Sequence, residues 1–118
     1  MFSNEEITRL LDVANTGLHK GEVALARKVY EGILAERPEH APTLISLALS
    51  HIVVGEYETA DTILNDRVLA KNPADADALV YLGLSAKLAG RNEQAEEILS
   101  RVPAGGSAGA LAESLRAI

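Results

Sequence analysis

Three stretches of this chain can be laid over one another by their glycines: "HKGEVALARKVYEGILAERP", "VVGEYETADTILNDRVLAKNP" and "LAGRNEQAEEILSRVP". Gly21, Gly55 and Gly90 stand 34 and 35 residues apart. Around each of them the same residue types recur. Ala26, Ala60 and Ala95 follow by five positions, and Tyr30, Leu64 and Leu99 by nine. Leu10, Leu44 and Leu79 precede by eleven, Val13, Leu47 and Leu82 by eight, and the very small Ala14, Ala48 and Gly83 by seven. A unit this short cannot bury its apolar face alone, so copies must stack and cover one another.

The recurring positions have physical roles. Each glycine falls where a helix stops and the chain reverses, a position that favours positive φ. The small residues before and after it let two helices lie close together, and the larger ones fill the seam at helical spacing. Pro38, Pro42, Pro73 and Pro103 all lie between periodic segments, and aromatic residues make up only 3% of a sequence rich in Ala, Leu and Glu. The expectation is therefore an all-α chain of helical hairpins.

One irregularity interrupts the alignment. "YEGILAERP" in the first copy becomes "LNDRVLAKNP" in the second, one residue longer. Keeping Ile33 and Val68 equivalent requires a π-bulge or an early helix end near Asn65–Arg67; the alternative is a longer turn.

Both ends carry signals of their own. Ser3 and Glu6 form a capping box, with Phe2 and Ile7 placed for a hydrophobic staple, so helix is expected from the first few residues. After Pro103 and the flexible "AGGSAG", residues 107–118 read as a terminal helix with Ser107 as its cap and an apolar stripe of Leu111, Leu115 and Ile118. Its expected role is to cover the last repeat.

At 118 residues the chain is the length of one domain, with no cysteine and a net charge of -6. That charge opposes nucleic acid and anionic membrane surfaces. The N-terminus lacks the apolar core of a signal peptide, and no apolar run reaches the ~20 residues of a membrane span, so a soluble, cytoplasmic protein is expected. His19, His40 and His51 are scattered without metal-ligand spacing, and "AGGSAG" lacks the strand that a phosphate loop follows. The alternating aspartates of "NPADADAL" fit the start of a helix better than a calcium loop. No enzyme, cofactor or metal is expected.

The pattern resembles the tetratricopeptide repeat, a 34-residue helix-turn-helix with small residues at two crossing points and a G-x-Y-x-x-A turn, which "GEYETA" matches letter for letter. The resemblance covers about residues 4–103 in three repeats (4–40, 41–75 and 76–103). It departs at Gly17, His51 and Ala86, where the family usually has an aromatic, and at Asn92, which replaces the turn tyrosine. The resemblance implies a single domain over 1–118, a right-handed solenoid with a C-terminal capping helix. The first helix of each pair then lines the concave side. Ten, six and three residues before each glycine, that inner line reads Leu11, Asn15 and Leu18; Ile45, Leu49 and Ile52; and Val80, Leu84 and Lys87, with Tyr81 and Leu88 beside it.

Members of this family that clamp acidic C-terminal peptides line the groove with Lys, Arg and Asn. Only Asn15 and Lys87 match here, so an apolar ligand is the better expectation. The segment "GLHKGEVALARKVYEGILAERPEHAPTLISLAL" resembles the repeat region of small tetratricopeptide chaperones of bacterial type III secretion. That resemblance implies a partner-masking role toward a small hydrophobic export substrate, alone or with a co-chaperone. The alternative is a scaffold module or homodimer. "TLISLALSHIVVG" poses the choice most sharply, being apolar around most of its circumference: its other side is covered by an exported partner, a second copy or the helix ending at Ile118. On the partner reading, Ile45→Asp or Leu49→Asp removes binding and leaves the helices intact.

Overall fold

In the computed structural model, which describes residues 1–118, each of the three aligned glycines takes the left-handed conformation, with φ of 87° at Gly21, 82° at Gly55 and 83° at Gly90. The next residue in each turn reaches back across the helix end. Glu22, Glu56 and Arg91 donate their N–H groups to the carbonyls of Gly17, His51 and Ala86 at 2.9, 2.8 and 2.8 Å. This is the Schellman closure, which satisfies carbonyls that the helix end leaves open. The repeated glycine is therefore a repeated helix stop.

Between these stops the chain is all helix, without strands. The elements are α1 (Asn4–His19), α2 (Val23–Glu36), α3 (Ala41–Ile52), α4 (Tyr57–Thr62), α5 (Ala76–Leu88), α6 (Asn92–Ser100) and α7 (Gly106–Arg116). The capping box forms at the start of α1: Glu6 N–H donates to Ser3 Oγ at 3.1 Å, and Ser3 N–H to Glu6 Oε1 at 2.9 Å.

Beyond α4, residues Ile63–Leu69 form a π-helical segment, with Ala70 N–H donating to the Asn65 carbonyl five residues back. The surplus residue is thus absorbed inside the helix, and Val68 is buried just as Ile33 is. No glycine or proline stands between Ile63 and Leu69 to end the helix early, so widening one turn preserves both the backbone bonds and the buried register. Deleting the exposed Asp66 restores the spacing of the first copy. The expected result is ordinary α-helix, a cooperative thermal transition and a stability within about 1 kcal/mol of the parent; loss of cooperative unfolding would contradict this account of the insertion.

The small residues meet as their spacing implies. Ala14, Ala48 and Gly83 are buried together with Ala26, Ala60 and Ala95, and Tyr30, Leu64 and Leu99 fill the seams. Each helix packs on the next in sequence. In addition α1 touches α3, α3 touches α5 and α5 touches α7, whereas α2, α4 and α6 do not approach one another. The result is an odd-numbered row of helices in continuous contact, flanked by even-numbered helices that do not touch one another. The array measures 42 × 26 × 23 Å.

The core is divided accordingly. A central cluster runs from Leu34 through Leu44, Leu64 and Leu79 to Ile98. Smaller clusters flank it around Tyr30 and around Val80, Leu99, Ala112 and Leu115. Leu47 and Leu49 pack against both the central and the first cluster. Val13, at the position of Leu47 and Leu82, is 70% exposed.

Ion pairs repeat with the units as well. Six residues after each glycine stands a charge that pairs across to the next unit: Arg27 with Glu56 at 2.8 Å, Asp61 with Arg91 at 2.8 Å and Glu96 with Arg116 of α7 at 2.7 Å. The polarity is reversed between the first junction and the other two, while the position is kept.

The terminal helix departs from expectation. It starts one residue early, capped by Gly105 at φ 92° rather than by the Ser107 side chain. Its buried face is Gly109, Ala112 and Leu115, while Leu111 and Ile118 are exposed. Close approach decides this: a Cβ on Gly109 would stand 2.8 Å from the Pro103 carbonyl oxygen, so the helix docks on its small-residue side.

Three carboxylates link the fold to pH. Glu6 is held below its ordinary value of 4.5 by the Ser3 backbone N–H and then the Ser3 side chain. The Phe2 N–H does the same for Glu36, ahead of the N-terminal amine, and His51 followed by Arg27 for Glu56. Because folding lowers these values, their contribution is complete above about pH 4.5 and is lost as pH falls through the lowered folded values. The thermal midpoint should therefore drop most steeply below about pH 4.5, and glutamine at all three positions should flatten that acid limb. An acid limb unchanged by the triple substitution would contradict this.

Candidate functional site

The odd-numbered helices carry the nine inner-line residues with Tyr81 and Leu88 beside them, and the structure divides the eleven. Ile52 and Val80 are 2% and 1% exposed, and Leu18 and Ile45 are also buried. Val80 lies in the cluster beneath α7, and Lys87 donates from Nζ to the Leu115 carbonyl. The terminal helix thus takes up part of the third unit's inner face. Asn15 is engaged too, accepting from the Tyr30 hydroxyl at 2.6 Å, and burial pushes that phenol's pKa up to about 12.

What stays open are two hollows, one toward each end of α3. One, of about 280 Å³, is lined by Leu11 and Asn15 of α1, Ala41, Pro42, Ile45 and Ser46 of α3, and Asp75, Asp77 and Tyr81 at the start of α5. The other, of about 340 Å³, lies at the opposite end of α3 between Leu18, Val23, Leu49, Val53 and Val54. Helix α3 therefore presents an apolar surface on either side of its length. Half-buried Leu11, Leu49, Tyr81 and Leu84, together with exposed Leu88, are those of the eleven that a partner could reach.

Val53 and Leu88 are each 54% exposed, with Val54 beside them at 49%. They stand two residues before their glycines, at one repeated position. Leu88 had been placed beside the line, and the same spacing marks Val53. At the opposite rim, Asp75 is the cap of α5 that its place before a helix predicts, accepting from Ala78 N–H at 3.0 Å. The burial of Ile45 also changes what a substitution there measures: an aspartate would be forced into the core, so Ile45→Asp reports on folding before binding.

Three larger hollows lie elsewhere: two contain cross-unit ion pairs, Glu96–Arg116 in one and Asp61–Arg91 in the other, and the third lies on the first unit between Val13, Thr16, Lys20, Glu22 and Leu25. The three histidines sit apart. His19 is exposed, and His40 Nδ1 is 2.7 Å from Thr43 Oγ1, its pKa lowered by burial and then by Arg37. His51 Nδ1 is 2.9 Å from Glu56 Oε1, which also accepts from Arg27. No three His, Asp or Glu side chains converge as metal ligands, and no helix is long and apolar enough to cross a membrane. The chemistry this surface offers is apolar contact edged by carboxylates. The sequence matches no protein-family model and no curated protein.

Proposed function

We propose that the chain is a tetratricopeptide-repeat module, a right-handed solenoid of three units, that holds the apolar face of a partner helix in a groove along α3. The role is non-catalytic: a cytoplasmic chaperone masking a hydrophobic segment of a small secreted protein until export, as the resemblance to type III secretion chaperones implies. One observation carries the reading. Val53 and Val54 stand exposed at the rim of the apolar hollow at the end of α3, and Leu88 stands exposed at the equivalent position of α5, where a lone chain gains nothing from showing large aliphatic side chains. Such a surface suits the i, i+3, i+4 stripe of an amphipathic helix.

The alternative, a scaffold module or homodimer in a larger assembly, draws support from a different face. Val13 and Leu25 are exposed on the first unit, and at the position of Val13 the later units carry Leu47 and Leu82 packed into the core. Val53→Asp with Leu88→Asp separates the two. Both positions are at the surface, so the circular dichroism spectrum should be unchanged, while retention of a co-expressed small secreted partner should be lost. Undiminished retention would overturn the groove reading and leave the scaffold reading standing.

A further inference from the structure

The two hollows differ in character. The hollow bounded by Leu49, Val53 and Val54 has no carboxylate in its lining. The hollow at the other end has an apolar floor of Leu11, Ile45 and Tyr81, with Asp75 and Asp77 on its edge and no lysine or arginine among its lining residues. Neither aspartate takes part in any of the chain's ion pairs.

Asp77 lies one turn before Tyr81 on α5. Burial, and then the charge of Asp77, raises the pKa of the Tyr81 phenol, so carboxylate and ring share one environment. A carboxylate beside a half-buried aromatic ring is a receptor for an ammonium or guanidinium group, which pairs with the carboxylate and lies against the ring face.

Resting on the groove reading above, we infer that the bound segment is a partner's amphipathic helix with aliphatic anchors toward one end and lysine or arginine toward the other. Its basic end lies over the start of α5. The two hollows sit at opposite ends of α3, whose 12 residues span about 18 Å, so cation and anchors are separated by about three helical turns. A wholly apolar helix would strip water from the two aspartates and offer nothing in exchange. An acidic helix would meet like charge, and so would the same rim of a second copy, each copy carrying a net charge of -6.

The test uses two synthetic helical peptides with the same leucine face, one carrying lysines at one end and the other glutamates in their place. Binding to the full chain is followed by fluorescence anisotropy. The lysine peptide should bind about tenfold more tightly at low salt. In the Asp75→Asn/Asp77→Asn double variant, where asparagine still caps α5 and circular dichroism verifies folding, the ratio should shrink to about twofold or less. Equal binding of the two peptides to the parent chain, or a ratio unchanged in the double variant, overturns the charge selection and leaves the groove reading intact. Saturable binding by neither peptide overturns the groove reading itself.

Discussion

Replacing Tyr30 with alanine is expected to cost about 3–5 kcal/mol, a large share of the ~5–15 kcal/mol that holds a domain of this size together. The ring is fully buried in the cluster that joins α1 to α2, against Ala14, Leu18 and Ala26. The aliphatic side chains around them are held by other contacts, Leu47 and Leu49 by the central cluster as well, so the space is only partly refilled and a cavity persists. The substitution also removes the hydroxyl that donates to Asn15 Oδ1. Tyr30→Phe keeps the ring and loses only that bond, with an expected cost of about 1 kcal/mol. Urea unfolding followed by circular dichroism measures both. Because the core is divided into clusters, amide exchange should show the loss of protection concentrated in α1 and α2. An alanine variant within about 1 kcal/mol of the parent would mean that the first cluster does not hold the unit together.

Gly83→Val is the second large effect, and its sign is informative. Helix propensity alone predicts a gain or little change, since glycine inside a helix is about 1 kcal/mol worse than alanine. The structure predicts the opposite. A Cβ at position 83 would stand 2.4 Å from Cδ2 and 2.6 Å from Cγ of Leu99, and Leu99 is itself enclosed with Val80, Ala112 and Leu115. The clash is relieved either by Leu99 turning toward the hollow of about 570 Å³ that it borders or by α5 and α6 parting, and both spoil the packing of this cluster, at a cost of about 1–3 kcal/mol. Gly32, exposed within α2 with nothing near its missing Cβ, is the control: Gly32→Ala should stabilise by up to about 1 kcal/mol. If both substitutions stabilise, close approach at Gly83 is not what the small residue serves.

The local chemistry of the chain was legible in its sequence. The glycine stops, the small-residue crossings and the Ser3–Glu6 cap each depend on a few neighbouring residues, and the structure has all three. The surplus residue near Asn65 was equally visible, but three solutions satisfied the spacing. The need to bury Val68 without breaking backbone bonds selects the π-helical segment. The candidate groove was harder to read, because facing in the odd-numbered row depends on how closely helices distant in sequence approach one another. Ile52 and Val80 were read as open, and neighbouring helices cover them. The aliphatic side chains left outside include Val53 and Val54. The docking of α7 on Gly109 and Ala112 rather than on Leu111 and Ile118 follows from contact with the Pro103 turn, which no periodicity within the helix records.

The central claim is that the groove along α3 is filled by a different protein. Native mass spectrometry of the chain co-expressed with its neighbouring genes tests it most directly. The prediction is a complex with one copy of this chain and one small partner, with or without a third subunit, which disappears in the Val53→Asp/Leu88→Asp variant. A parent chain found only as a monomer or homodimer, with the partner genes expressed and nothing bound, would contradict it.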